Sequence, residues 1–284
     1  MADAIQTLPN SKNDLIVSAV QKNLIEKAVL ASTVRNVSAF APKGAKSFAV
    51  PKLSNFTVAN RAFGTSEDAI ALTDSTDVID LDFNAYIAWL YDSRDVYQSS
   101  IEYSIESSMR AAAAHSKYLD QQILAEIQAV AEHEVSVATF TTIKEQALEL
   151  RRLVLQSGGD IGKMTYSISL DKEAEMLQES DFVRADFYGS ANVRTGQIGQ
   201  IYGIPVVISR LITGTGLNSM NLHDADGIGL AFQGGVEMSD QSANEFGANS
   251  RRVAMDQVFG IGGLELGEQG AGATKSPLVA KLVA

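Results

Sequence analysis

Between Gly64 and Gly158 the sequence contains neither glycine nor proline, while twenty of its 22 glycines lie at Gly158 or beyond. Nothing in that window forces a turn, so it favours a few long elements, and the glycine-rich remainder favours short strands and turns. Within the window Ile101, Ile105, Met109, Ala112, Ser116, Leu119, Ile123, Ile127 and Val130 recur at steps of three and four, which predicts a helix from Arg94 to His133. Asp92 or Ser93 would cap it, Glu106 and Arg110 would pair across one turn, and the Ala111–Ala114 run favours helix and close packing. Just before it, Ile79, Leu81, Phe83, Ala85, Ile87, Trp89 and Tyr91 alternate with Asp80, Asp82, Asn84, Tyr86 and Asp92, which predicts one strand over Val78–Tyr91. The helix would be ~60 Å long and the strand ~43 Å, whereas a compact globule of this chain length is only ~50 Å across. Elements that long bury their apolar faces only against other copies of the chain, which points to assembly.

Composition removes most catalytic chemistries. The 284-residue chain, 45% apolar, is long enough for one large domain or two modest ones. It has no cysteine, hence no disulfide, thiolate metal site or cysteine nucleophile, and its three histidines, His115, His133 and His223, lie far apart. No basic start leads into an apolar run of the secretory type, and no stretch reaches the ~18 apolar residues of a membrane span. The Asn36 and Asn55 glycosylation triplets carry no meaning without secretion. The expectation is a soluble protein made in a cytoplasm. The net charge of −11 hides an asymmetry: through Arg61 there are eight bases against three acids, +5, which leaves −16 for the remainder. Between Arg61 and Arg94 there is no base, while Glu67, Asp68, Asp74, Asp77, Asp80, Asp82 and Asp92 accumulate. A basic N-terminal arm and an acidic stretch suit each other across a subunit boundary, although singly such charges are solvated faces. Nucleic acid as a specific ligand is disfavoured, since there is no basic domain and no basic-aromatic interleaving.

The remaining elements complete an α+β reading. A helix is predicted from about Asp14 to Ala31, with Ser11 as cap, and Lys46–Phe63 alternates loosely as a strand in which Pro51 argues for an edge or bulge. Gly64–Asp68 is a polar turn and Thr73–Thr76 another weak spot. Thr142 opens a second helix with a capping box to Glu145, which stops at Gly158-Gly159. Met164–Leu170 reads as a strand, Asp171 as the cap of a helix to about Glu179, and Asp181–Gly199 as irregular. Strands follow at Ile204–Ser209, Gly229–Phe232, Val236–Ser239 and Arg251–Ile261, then a small-residue linker, Gly267–Ser276, and a short apolar tail, Pro277–Val283.

No residue earns a catalytic, cofactor or metal role. Asp224-Ala225-Asp226-Gly227 hints at a calcium loop, but Gly235 stands where the final acid belongs, so an ordinary turn is the better reading. Neither Gly196–Gly203 nor Gly260–Gly263 has the lysine–serine pair of a P-loop or the helix start of a dinucleotide site. There is no G-x-S-x-G elbow and no H-E-x-x-H. His115 reads as a packing or interface histidine and Trp89 as a buried anchor.

The order of elements resembles the Hong Kong 97-like capsid fold: N-arm, extended two-stranded loop, long spine helix, second helix, glycine-rich axial domain, returning strand. The most specific local match is Gly196-Gln197-Ile198-Gly199-Gln200-Ile201-Tyr202-Gly203-Ile204-Pro205-Val206-Val207-Ile208-Ser209, which is similar to the family's G-x-I-x-G-x-P-V-x-x-S run. Ser250-Arg251-Arg252-Val253-Ala254-Met255-Asp256-Gln257-Val258-Phe259-Gly260 resembles its closing strand. The resemblance implies an N-terminal arm (1–40), an extended loop (41–92), a peripheral domain with the spine helix (93–160), an axial domain (161–241), returning peripheral strands (242–266) and a C-terminal tail (267–284). It implies the major capsid protein of a tailed bacteriophage, not an enzyme, whose copies form hexamers and pentamers closing an icosahedral head around double-stranded DNA. The shell would assemble in the host cytoplasm with a separate scaffolding protein, a portal and a decoration protein, without a membrane. Lys43, Lys46, Lys52, Arg61, Asp80 and Asp82 are the expected inter-subunit contacts. Some members crosslink a loop lysine to a neighbour's asparagine, and no motif here singles out such a pair. The nearest alternative is an encapsulin-type bacterial nanocompartment, with the same fold and enzyme cargo; a fibre or adhesin and an unfamiliar enzyme fit less well.

Overall fold

The computed structural model describes residues 28–53, 74–92, 103–178, 199–242, 250–264 and 275–283. Its helices are α1 (Tyr103–Val130), α2 (Ile143–Gln156) and α3 (Leu170–Gln178). The strands run β1 (Arg35–Asn36), β2 (Ser47–Leu53), β3 (Asp74–Asp80), β4 (Phe83–Asp92), β5 (Ala131–Ser136), β6 (Met164–Ile168) and β7 (Gln200–Ile201). They continue with β8 (Ile204–Ile208), β9 (Met220–Asp224), β10 (Ile228–Phe232), β11 (Glu237–Ser242), β12 (Ser250–Gly263) and β13 (Ser276–Val283). Two compact units result: Met1–Lys46, Leu81–Glu126 and Leu230–Ile261 form the first, and Ser47–Asp80, Ile127–Gly229 and Gly262–Ala284 the second. The predicted Asp14–Ala31 helix lies mostly outside the described residues, where only a 3₁₀ turn at Leu30–Ser32 marks its end.

The first unit sets one face of a sheet against α1. Strand β12 is its axis, with β4 along one edge (Val253 opposite Trp89, Met255 opposite Ile87) and β11 along the other (Met255 opposite Met238). Side chains alternate across a strand, so Ile87, Trp89 and Met255 share a face. That face meets Ala111 and Ala112 of α1, with Val236 closing the cluster. The alanines leave room for the strands to come close to the helix axis. Further along, Phe259, fully buried, stacks on its register partner Phe83 at 5.3 Å between centroids and meets Tyr118 edge-on at 6.2 Å. Burying a phenylalanine this way contributes about 2–3 kcal/mol. The buried stripe of α1 runs through Ala112, His115, Ser116, Leu119 and Ile123; Met109, expected on it, is 43% exposed because Ser108 takes the inward position.

Two corrections concern the long elements. Helix α1 is described over 28 residues, or ~42 Å, and it ends at Val130, not His133. Ala131–Ser136 forms β5 because β13 lies parallel beside it, burying Ala131 and Val135 and taking the backbone bonds the helix would have used. The predicted start at Arg94 and its Ser93 cap lie outside the described residues, and Asp92, the other predicted cap, is the last residue of β4. Nor is there one strand over Val78–Tyr91: β3 and β4 are separate, broken at Leu81-Asp82, and the predicted weak spot at Thr73–Thr76 overlaps the start of β3. The alternation itself holds, with Ile79, Leu81 and Ala85 buried and Asp80, Asp82, Asn84 and Tyr86 exposed. What divides the strand is its partners, β2 for one half and β12 for the other.

The second unit is a six-stranded mixed sheet, order β5-β13-β9-β6-β8-β7, with α2 packed on one face. Its core joins Ala147, Leu150 and Val154 of α2 to Met164, Tyr166, Ile168, Leu222 and Leu282 of the sheet. Helix α2 starts as predicted: the Thr142 hydroxyl accepts from the Glu145 amide at 3.3 Å and the Glu145 carboxylate accepts from the Thr142 amide at 3.3 Å. It also stops as predicted. Gly158 takes φ +89°, its amide donates to Leu155 at 3.1 Å, and the Gly159 amide donates to Val154 at 3.0 Å, which together satisfy the last carbonyls. Helix α3, in contrast, begins at Leu170 and is capped by the Ser169 hydroxyl, which accepts from the Lys172 amide at 3.0 Å. Asp171, the predicted cap, accepts from the Gly214 amide at 2.9 Å, and Leu170, expected inside, is exposed at the helix start.

The Gly199–Ser209 run is a tight hairpin. Tyr202 and Gly203 form a two-residue loop with φ of 50° and 82°, and Ile201 pairs with Ile204. Two successive positive φ angles match the twist of a hairpin and favour glycine at the second place. Pro205 sits opposite Gln200 in this short ribbon, where its missing N–H does no harm. The Pro277–Val283 tail proves to be β13, an inner strand between β5 and β9, and β9 has no counterpart among the predicted strands.

Candidate inter-subunit surface

Strands β2 and β3 form a two-stranded ribbon with Phe48 opposite Ile79, Val50 opposite Asp77 and Pro51 opposite Thr76. In a two-stranded ribbon both strands are edges, so Pro51 is tolerated as expected. The ribbon buries Phe48, Val50 and Ile79 on one side. Gly262 makes room there, since a Cβ at that position would stand 3.1 Å from Ile79 Cγ1. The root of the excursion is closed by the Leu81 amide donating to the Lys46 carbonyl oxygen at 2.8 Å.

Four of the six expected contact residues gather at this root. Lys46 precedes β2, Lys43 stands in the turn just before it, and Asp80 and Asp82 flank Leu81; all four are exposed. Lys52 lies opposite Ser75 in the ribbon register, its side chain outside the described residues together with all of Arg61.

Strand β4 adds a surface that the expected contacts missed. Its outward face carries Tyr86 (52% exposed) and Leu90 (47%), and the Arg252 guanidinium of β12 donates to the Tyr86 hydroxyl at 2.6 Å. Among the described residues, β4 is paired on one edge only. Large apolar side chains on the polar half of an alternating strand were the signal that could have found this face. Val78 of β3 repeats it at 63% exposed.

The chemically suggestive groups have structural employment. The Asp224 carboxylate accepts from the Asp226 amide at 3.0 Å and the Asp160 amide at 2.8 Å, while Asp226 pairs with Lys163. The turn therefore holds its own chain, as its sequence suggested. His133 meets the Ser157 hydroxyl at 2.7 Å, and His115 lies buried on α1 with burial lowering its pKa. Among the described residues no three carboxylates and imidazoles converge as metal ligands.

No protein-family model and no curated protein matches the sequence. Solved structures do match. The capsid of the cyanophage P-SCSP1u superposes with a TM-score of 0.69 at 14% identity, covering 91% of this chain and 88% of that one. The mature capsid of bacteriophage PhiM1 gives 0.62 at 13% identity, covering 88% and 85%. A virus-like particle from Pyrococcus furiosus gives 0.60 at 11% identity, covering 95% and 98%. Identities this low speak to fold, and the coverage leaves little of either chain unmatched: this chain has the Hong Kong 97-like capsid fold.

Proposed function

We propose that this chain is the major capsid protein of a tailed bacteriophage, a non-enzymatic subunit whose copies form hexamers and pentamers in an icosahedral head around double-stranded DNA. The observation that carries the reading is the match to phage capsids over about nine-tenths of both chains. The exposed apolar face of Tyr86 and Leu90 and the charged root of the β2–β3 ribbon supply surfaces that assembly would cover. In this reading the arm is residues 1–40, the extended loop 41–92, the peripheral domain 93–160 with returning strands 242–266, the axial domain 161–241, and the tail 267–284. Lys43, Lys46, Lys52, Arg61, Asp80 and Asp82 would meet neighbouring copies. A scaffolding protein, a portal and a decoration protein would complete the head in the host cytoplasm. An acidic subunit, −11 overall, suits a wall that must not adhere to packed DNA.

A second reading is favoured by one observation: the Pyrococcus furiosus particle covers 98% of its own chain and 95% of this one. Under it the shell would be a nanocompartment enclosing protein cargo. Negative-stain electron microscopy of the purified chain, with sedimentation, tests both. Closed shells or rings of five and six subunits support assembly, and a compact monomer that persists with scaffold supplied overturns it. Shells purified from the native source that contain DNA favour the phage head; shells containing enzyme favour the compartment.

A further inference from the structure

Strand β5 meets β13 in two registers. Ser276 stands opposite Ala131, but Ala280 stands opposite His133, so β13 advances four residues where β5 advances two. From Ala280 onward the second register holds, with Lys281 opposite Glu134, Leu282 opposite Val135 and Val283 opposite Ser136. Had the first register continued, Lys281 would face Ser136 and Val283 would face Ala138. A shift of two residues keeps every side chain on its own side of the sheet. Among the described residues β5 pairs with β13 alone, at the end of the sheet order, so it can slide without disturbing β13 against β9. The apolar pattern does not choose between the registers. On the side that packs against α2, β13 offers Ala280 and Leu282, and β5 offers His133, Val135 and Val137. In the slipped register Val135 would lie opposite Ala280 and Val137 opposite Leu282, an apolar match at least as good as the observed one.

Polar groups choose instead. The Lys281 ammonium donates to the Gln128 carbonyl oxygen at 3.0 Å and pairs with the Glu134 carboxylate at 3.2 Å. The lysine side chain is only 18% exposed, so both contacts are made largely out of water, where charge-assisted bonds are strong. Gln128 belongs to the last turn of α1, which carries no basic residue of its own, and a cation there complements the helix end. On the other side of the sheet His133 meets the Ser157 hydroxyl at the end of α2, a tie that holds β5 to the helix and not to β13. A slip would move Glu134 and Gln128 away together and leave Lys281 opposite a serine hydroxyl.

We propose that Lys281 is the register key of the second unit's sheet: its ion pair with Glu134 and its bond to Gln128 select one of two registers that the apolar residues accept equally. A polar group that fixes register at a near-apolar seam is the best attested use of a partly buried ion pair. Strand β5 follows Val130 without a loop, so a slip would also carry the end of α1 along by two residues, about 6.6 Å. The inference concerns the subunit alone and does not depend on the shell reading.

Cysteine pairs test it, and the chain has no cysteine of its own to confuse them. Ser136→Cys with Val283→Cys reports the observed register, and Ala138→Cys with Val283→Cys reports the slipped one. Each is closed by mild oxidation of the unassembled subunit. With Lys281 in place the first pair should form its disulfide at least about tenfold faster than the second. Lys281→Met keeps the length and removes the charge. It should leave the melting temperature unchanged or raised while lowering that ratio at least about fivefold. Glu134→Gln keeps the shape and loses only the charge, and should lower the ratio about threefold. A folded Lys281→Met chain with an unchanged ratio would overturn the proposal. Should that variant not fold, an unchanged ratio in Glu134→Gln overturns it in the same way.

Discussion

The Tyr166 hydroxyl, fully buried in β6, donates to the Ala147 carbonyl oxygen of α2 at 2.7 Å. One bond thus fixes the height of the helix over the sheet, in the middle of the second unit's core. Tyr166→Phe keeps the ring and removes the bond, with an expected loss of about 1 kcal/mol in urea unfolding of the unassembled subunit. The same substitution should alter the alkaline limb. Burial pushes the phenol's pKa up, whereas in the unfolded chain it ionises near its ordinary ~10. Stability should therefore begin to fall as the pH passes that ordinary value and keep falling towards the raised one. That component should be missing from the phenylalanine variant; parallel alkaline limbs would contradict it.

His115 supplies the matching prediction in acid. Burial lowers its pKa, and among the described residues neither ring nitrogen finds a partner. The neutral ring is fully accommodated above the ordinary ~6.5, and stability is lost as the pH falls from there through the lowered value. His115→Leu fills similar space without stranded nitrogens. It should gain roughly 1–2 kcal/mol at neutral pH and flatten the difference between pH 7 and pH 5, both readable from thermal melts.

Gly158 and Gly159 resist substitution for different reasons. Gly158 has open space around it but φ +89°, so Gly158→Ala should cost about 1 kcal/mol and Gly158→Asn less. A Cβ on Gly159 would stand 2.6 Å from Met164 Cε and 2.8 Å from Val154 Cγ1, inside the core. Gly159→Ala should cost about 1–3 kcal/mol, with asparagine worse than alanine. Equal ranking at the two positions in denaturant titrations would refute the distinction.

Charge reversal of the basic loop residues tests docking between copies. Lys52→Glu with Arg61→Glu should leave the circular dichroism and melting of the subunit unchanged and abolish closed shells in negative stain. Normal shells from the double variant would remove arm-and-loop electrostatics from the assembly reading.

Patterns carried by local chemistry were legible in the sequence, and patterns decided by a distant partner were not. Thr142 with Glu145 and Gly158-Gly159 each state a cap or a stop within a few residues, and each forms. The inward set Ile79, Leu81, Ala85 was equally readable. The break at Leu81-Asp82 was not, because alternation runs straight through it and only β2 and β12 divide the strand. Nor was the end of α1 at Val130: no glycine, proline or cap marks Ala131, and the competing term is β13, more than a hundred residues later. Ser169 displaced Asp171 as cap because Gly214 claims the aspartate. At the candidate surface, the exposed charges of Lys43, Lys46, Asp80 and Asp82 followed from polarity. Lys281 did not stand out, since it reads as one charge in an apolar tail and only Gln128 and Glu134, far back in the chain, give it a role.

The position of β13 orders the birth of the second unit. It enters between β5, which it joins in parallel, and β9, which it joins antiparallel. Every other strand of that sheet leaves the ribosome first and must wait with a bare edge where β13 belongs. The sheet closes only once the chain has grown through Val283, and until then β5 has no place in it. An unfinished or truncated chain thus presents open strand edges, prone to pair with the wrong neighbour. Insertion of one late strand separates a nascent chain from a subunit whose fold is complete.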